Sequence, residues 1–321
     1  MTTAGRRETV INGTRVQVID IHAHTSVPEA SALMGNTGNA PLLPLESYRD
    51  RLRDMDAQGI DIEALSINPF WYGAERDLAA EVIRIQNERL SEFCQAQPER
   101  FVALATVALQ HPDLAAAQLE DGVTRLGLRG ALVGGSVEGE ELASRRFDPF
   151  WAKAEALGVP IFIHPQGVPQ LASRLQGNGI LENVIGNPLE TTIALSHLVF
   201  EGTLERHPNL VIVGAHGGGY LPSYMHRSDA GGTTFPARDT PLPKKPTDYL
   251  RQIYVDSLVF TPEALRHLVA EMSSSHIVVG TDYPYPWTQT AVEHVLATPD
   301  LTDAERIAIL GGTAAKLLRI E

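Results

Sequence analysis

The chain has 321 residues, 43% of them hydrophobic, with a formal net charge of -13 and a pI near 5.3. That is enough apolar material for one large core, and the acidity argues against a nucleic-acid partner, which needs a basic face. Cys94 is the sole cysteine, so an intrachain disulfide and a thiolate metal cluster are excluded and a reducing compartment is suited.

Residues 1–15 read as a flexible N-terminal segment, and 16–321 as a single domain. Arg6-Arg7 have no apolar stretch behind them, so no signal peptide is expected. No run approaches the roughly 18 apolar residues of a membrane span. A cytoplasmic protein is the expectation. Strand-like Val/Ile/Leu/Ala runs fall at 17–21, 60–67, 101–107, 130–133, 159–164, 210–215, 253–257 and 276–280. They are nearly continuous, as in parallel strands buried on both faces. Helical patterns lie between most of them, at 45–58, 74–96, 113–126, 147–157, 189–207 and 261–272. Cys94 sits in the second and reads as a small core residue. Thr261-Pro262-Glu263 has the form of an N-cap, a Pro at the first helical position and an acidic first turn. Gly59, Gly127 and Gly158 stand where helices should stop. Alternating strands and helices in a chain this long predict an α/β fold, a single (β/α)8 TIM-type barrel. A C-terminal helix over 302–318 should close it. Long loops at 25–44, 165–188 and 228–246 follow strand ends on the predicted catalytic face, where long loops are usually functional.

Four of the apolar runs end on a side chain with metal or acid–base chemistry. They are Ile19-Asp20-Ile21-His22-Ala23-His24, Ile161-Phe162-Ile163-His164, Ile212-Val213-Gly214-Ala215-His216 and Val278-Val279-Gly280-Thr281-Asp282. One such histidine is more often structural, but strand ends in this barrel converge on one face. His22, His24, His164 and Asp282 then give three imidazoles and a carboxylate, a set suited to a divalent ion with an open position. Asp20 shares the parity of His22 but lies deeper, so a supporting role is favoured over ligation. His216 precedes Gly217-Gly218-Gly219, which leave its ring unobstructed. A free imidazole beside a metal-bound water is a natural general base, and the alternative is a fifth ligand. Asp282 can share the acid–base work. His111, His197, His207, His267, His276 and His294 read as helix or loop residues remote from the site, while His226 adjoins Arg227.

At these residues the chain resembles the amidohydrolase superfamily, and within it the group built around 2-amino-3-carboxymuconate-6-semialdehyde decarboxylase. The segments are Asp20-Ile21-His22-Ala23-His24, Phe162-Ile163-His164-Pro165, Ala215-His216-Gly217-Gly218-Gly219 and Gly280-Thr281-Asp282-Tyr283-Pro284-Tyr285-Pro286. Pro188-Leu189-Glu190-Thr191-Thr192 and Asp256-Ser257-Leu258-Val259 agree. The resemblance implies a distorted (β/α)8 barrel with one divalent ion per chain, zinc first and manganese second. It assigns His22, His24, His164 and Asp282 as ligands and His216 as the acid–base residue. Binuclear relatives carry a bridging Lys at the fourth strand, and Gly130-Ala131-Leu132-Val133-Gly134-Gly135 has none. The group places an Arg eleven residues beyond the His of the glycine run, reaching a neighbouring subunit's substrate. Arg227 stands there, so a homodimer or higher homo-oligomer is implied, with a surface ion pair as the alternative. Two departures bear on substrate. The first loop has Asn39-Ala40-Pro41-Leu42-Leu43-Pro44 and no Arg, and Asn183 stands where the namesake has Trp.

Phe70, Trp71, Tyr285 and Trp287 are candidates to line a pocket for an apolar ring, the alternative being core or subunit packing. The expected function is non-oxidative, metal-dependent decarboxylation of an aromatic or muconate-like carboxylic acid. His216 or Asp282 would protonate the carbon that loses CO2, and Arg227 would hold a carboxylate. Metal-dependent hydrolysis of a lactone, amide or cyclic ketone uses the same residues and is the alternative. A catalytically dead barrel kept for binding is a third possibility, disfavoured by the intact residue set.

Overall fold

The computed structural model of the protein describes residues 6–35, 44–235 and 241–321. Parts of the loops expected at 25–44 and 228–246, including the Asn39 to Leu43 stretch, lie outside the described residues. The eight expected strands are all present, as β1 (Ile19–His24), β2 (Ile62–Ser66), β3 (Phe101–Ala103), β4 (Ala131–Gly134), β5 (Pro160–His164), β6 (Val211–Gly214), β7 (Ile253–Asp256) and β8 (Ile277–Val278). They form a three-stranded sheet in the order β1-β2-β3 and a five-stranded sheet in the order β4-β5-β6-β7-β8, every pair parallel. Isolated parallel bridges, Ala105↔Ala131 and Asp20↔Val279, connect the edges of the two sheets.

Alternation along each strand separates two apolar layers. Ile62, Ala64, Leu132, Phe162, Val213 and Val278 belong to an inner cluster, together with Ala314 and Leu318 of the C-terminal helix. Leu65, Ile67, Val133, Ile161, Ile163 and Val255 face an outer cluster shared with the helices. This two-sided burial explains why the strands read as continuous apolar runs.

The intervening helices are α1 (Tyr48–Gln58), α2 (Arg76–Ala96), α3 (Pro112–Thr124), α4 (Asp148–Leu157), α5 (Asn187–Phe200), α6 (Leu221–Thr234) and α7 (Pro262–Met272). The Thr261 side chain accepts the Ala264 N–H at 3.2 Å, a cap that contributes about 1 kcal/mol. Gly59 and Gly158 end α1 and α4 in the left-handed conformation, as expected. The helix expected over 189–207 is split into α5 and a short turn, Thr203–Arg206. The C-terminal helix is also divided, into Asp303–Ile307, a π-turn at Ala308–Gly312 and α8 (Thr313–Leu318). A side chain at Gly311 would meet the Gln17 carbonyl at 2.1 Å, so the packing of this segment against the start of β1 fixes the irregularity. Residues Thr9–Ile11, inside the N-terminal segment expected to be flexible, pair with Thr14–Val16 at its end in an antiparallel hairpin, with Thr9, Ile11 and Val16 buried. The 165–188 loop holds short helical turns, at Pro169–Arg174, Gly177–Gly179 and Glu182–Gly186. Among the described residues no helix is long and apolar enough to cross a membrane.

Candidate active site

The β1–β2 ladder shifts register between Asp20 and Ala23. Such a bulge re-aims side chains, and His22 and His24 both reach the interior: the His22 ring lies 4.9 Å from the Phe162 ring, and both rings lie near His164, at 5.1 and 4.5 Å between centroids. Asp20 accepts the backbone N–H of His22 at 2.9 Å and that of Thr281 at 3.2 Å. It ties β1 to the segment after β8, which is the supporting role its depth suggests.

The partners of the two histidines fix their tautomers. His22 Nδ1–H donates to Asp256 Oδ2 at 2.7 Å. His24 Nδ1–H donates to Ser66 Oγ at 3.1 Å, and that hydroxyl donates to the Ala23 carbonyl. In the neutral rings both Nε2 atoms therefore keep their lone pairs, and they face each other at 3.1 Å. Asp282 Oδ1 lies 3.2 Å from His22 Nε2, 3.0 Å from His24 Nε2 and 3.9 Å from His164 Nε2. Donor atoms of His22, His24, His164 and Asp282 all fall within 4.8 Å of one another. Both ring nitrogens of His164 and Asp282 Oδ1 are buried without a hydrogen-bond partner. Converging lone pairs, enclosed and unsatisfied, fit a single divalent cation with nitrogen and oxygen ligands.

Electrostatics agree with a ligand role. Burial pushes His24 down to about 4 and His164 well below the ordinary imidazole value, so both are neutral at pH 7. For Asp282, burial opposes ionisation, but the charge of His22 and the nearby His164 and His216 rings hold it far below the carboxylate range. Burial also opposes charge on His22, yet Asp282 and Asp256 outweigh it and raise its pKa to about 10, so a cation must displace the Nε2 proton to be held there. A carboxylate behind the ring makes His22 a more basic donor through Nε2.

His216 illustrates how local backbone overrides parity. Val213 and Ala215 belong to the inner cluster, so simple alternation sends the next side chain outward. His216 instead takes φ 54°, followed by Gly217 at φ 63°, and the turn brings its Nε2 to 3.6 Å from Asp282 Oδ2. Non-glycine residues in this region are strained and cluster at functional sites. Asp256 holds the turn, with Oδ2 accepting the His216 N–H and Oδ1 the Gly217 N–H, each at 2.8 Å. His216 Nδ1 is buried and unpartnered.

Asp256 is a site residue that strand-end logic for the histidines does not single out. Its signal was present, since Ile253-Tyr254-Val255-Asp256 ends a strand on a carboxylate as the other site segments do. The side chain is fully buried and serves a candidate ligand and the His216 turn together. Glu190 is a second such residue, on α5. It receives the backbone N–H groups of Gln166 and Gly167, the latter at 2.7 Å, and the Ser136 hydroxyl at 3.2 Å. It thereby pins the loop that follows His164 to the end of β4.

Gly280 makes the Asp256–His22 pair geometrically possible. A Cβ there would lie 2.7 Å from Asp256 Cβ and 3.0 Å from His22 Cβ. Gly280→Ala is expected to separate the pair and weaken divalent-metal binding about tenfold to a hundredfold, the usual loss when the partner behind a metal-binding histidine is removed. Metal titration of the stripped protein checks this, and an unchanged dissociation constant would refute it.

The amidohydrolase family profile matches residues 19–320. The chain belongs to the amidohydrolase family. Among curated members, it is 30% identical to gamma-resorcylate decarboxylase of Rhizobium radiobacter over 94% of this chain and 98% of that protein. It is 29% identical to 2-amino-3-carboxymuconate-6-semialdehyde decarboxylase of Dictyostelium discoideum over 84% of this chain and 76% of that protein. Among solved structures, a dihydroxybenzoic acid decarboxylase from a Polaromonas species, with bound manganese and the inhibitor 2-nitroresorcinol, superposes with a TM-score of 0.83. That match has 28% identity and covers 95% of this chain and 97% of the other.

The remaining candidates of this amidohydrolase are distributed unevenly. Tyr285 lies beside His24, with ring centroids 6.0 Å apart. Trp287 is 38% exposed and pairs with the exposed Phe260 at 6.0 Å. Phe70 is half-buried against Trp71. Trp71 itself is wholly enclosed in the outer core, its indole N–H donated to the Val107 carbonyl at 2.9 Å, which is the packing alternative. Arg227 is exposed on α6 and forms no ion pair among the described residues. It is not brought to this chain's own metal-type cluster. His226 points to solvent and pairs with Glu271 at 3.1 Å. Cys94 is partly buried against the core.

Proposed function

We propose that this amidohydrolase is a metal-dependent, non-oxidative decarboxylase of an aromatic or muconate-like carboxylic acid. The observation that carries the reading is the enclosed three-histidine, one-carboxylate cluster with His216 beside it, in a chain related over most of its length to decarboxylases. His22 and His24 through Nε2, His164 and Asp282 would hold the ion. When bound, the ion supplies an electrophilic centre that anchors and polarises the oxygens of the acid. His216, at 3.6 Å from Asp282, delivers a proton to the ring carbon as its bond to the carboxyl group breaks. The electron pair of that bond is taken up by the proton, and CO2 leaves. Asp282, with Oδ2 3.6 Å from the His216 ring, stabilises its protonated form by charge. Asp256 keeps the His216 turn in place.

Phe70, Tyr285 and Trp287 are assigned to the ring of the substrate, at the rim of the same face. Arg227 is assigned to the substrate carboxylate of a neighbouring subunit. Its exposure and the exposed Tyr224 and Phe235 near it support a homodimer or higher assembly. A closed (β/α)8 barrel is part of the reading and is supported by the bridges at both sheet edges. Zinc and manganese both suit the donor set, and the Polaromonas relative holds manganese. Hydrolysis would use the same donors, but the named relatives favour decarboxylation.

Elemental analysis combined with a CO2-release assay on hydroxybenzoates and muconate-like acids tests the reading. We expect about one divalent ion per chain, the number this cluster can seat, and CO2 from at least one acid. Ester or amide cleavage without CO2 release from any acid would sink the decarboxylase assignment. Two ions per chain would point to binuclear hydrolytic chemistry instead.

A further inference from the structure

We infer that Asn68 is a specificity-determining residue that reads a hydrogen-bond-donating substituent, a hydroxyl or amino group, on the ring of the bound acid. The inference rests on the decarboxylase reading for the ring and on the following geometry for the contact. Ile62 and Ala64 of β2 face the inner cluster, whereas Leu65 and Ile67 face the outer one. The alternation therefore persists past the end of the strand. Ser66 occupies an inner position and touches the His24 ring at 3.1 Å. Asn68 is the next inner position, one step nearer the mouth of the site. The backbone beyond it is fixed, because the Pro69 carbonyl accepts the side-chain N–H of Gln166, two residues past His164. Asn68 is thus held between the two strand ends that carry His24 and His164.

The side chain is 8% exposed, and its Oδ1 is buried with no hydrogen-bond partner. A buried amide oxygen in that state carries an unmet demand for a donor. The nearby Ser66 hydroxyl cannot supply it, being committed to the Ala23 carbonyl at 3.1 Å. A carboxylate cannot supply it either, since it brings only acceptors. The complementary group is a hydroxyl or amino substituent of the substrate, distinct from the carboxyl that leaves. A site built to bond such a group rejects analogues that lack it, because its own polar atom is then left unpaired.

The test is equilibrium binding of non-reacting rings to the metal-loaded protein. The probes are 2-nitrophenol, 2-nitroresorcinol and the isomers with the second hydroxyl at each other ring position, followed by the amino counterparts. Wild type should bind at least one dihydroxy or amino ring about tenfold or more tightly than 2-nitrophenol, as loss of a buried hydrogen bond predicts. In Asn68→Leu that preference should vanish while metal content stays the same. Asn68→Asp, which keeps an acceptor, should retain it, and Asn68→Ala gives the same comparison if the leucine variant does not fold. Equal binding of all rings by wild type, or a preference that survives in Asn68→Leu and Asn68→Ala, overturns the inference. The binding ratio does not depend on turnover, so absence of CO2 release would count against the decarboxylase reading and leave this result to be judged by itself.

Discussion

His216→Ala is expected to lower turnover by about 10²- to 10⁴-fold, the usual contribution of a positioned acid–base group, with metal content and thermal unfolding close to wild type. The reason lies in how the residue is held. Its backbone turn is fixed through N–H groups that Asp256 receives, and an alanine keeps those N–H groups. Its ring lies 3.6 Å from Asp282 without belonging to the cluster of four close donors. Removing the ring also releases backbone strain at a positive φ only in part, because alanine has the same Cβ. The effect should fall on kcat more than on KM, since the proton is needed as the bond breaks and not when the acid binds. Steady-state kinetics and elemental analysis on the same preparation check it. Wild-type kcat in the variant would remove His216 from the reaction, and loss of metal along with activity would make it a ligand.

Asp282→Ala is expected to abolish activity and to cut bound metal from about one ion per chain to a small fraction of that at equal free concentration. The carboxylate is the anionic member of the cluster and the point where three histidine rings meet, at 3.2, 3.0 and 3.9 Å. Without it, the remaining imidazoles hold a divalent ion with no neutralising charge from Asp282 in a nearly water-free space, where unpaired charge is costly. Asp282→Asn should behave similarly, because it restores shape and one oxygen but not the charge. Full occupancy with an unchanged dissociation constant in either variant would take Asp282 off the ligand set.

Much of this site was legible in the chain because its logic is local. A Val/Ile run fixes a strand, and the residue that ends the run is carried to the end of that strand. His22, His24, His164 and Asp282 can therefore be grouped from the chain alone, once the alternating pattern places all their strands in parallel. Trp71 shows the limit of that logic. Its neighbours in sequence read as a pocket or as core, and the choice turns on packing, here a wholly enclosed ring donating to the Val107 carbonyl. Asn68 carried no signal, because an asparagine after a strand is ordinarily a turn residue.

What the sequence by itself determined was the order of strands and helices, the four donor residues at strand ends and the absence of a bridging lysine. Those depend on periodicity and on residue chemistry, which are written along the chain. The tertiary structure alone decided three things. It put Asp256 against His22, 234 positions away in sequence, through the glycine space at Gly280. It turned His216 inward through a left-handed backbone that alternation opposes. It left Arg227 exposed on its helix, away from this chain's own cluster. Each is a contact or a dihedral set by packing between distant segments, and packing energy is not a property of any one stretch of sequence.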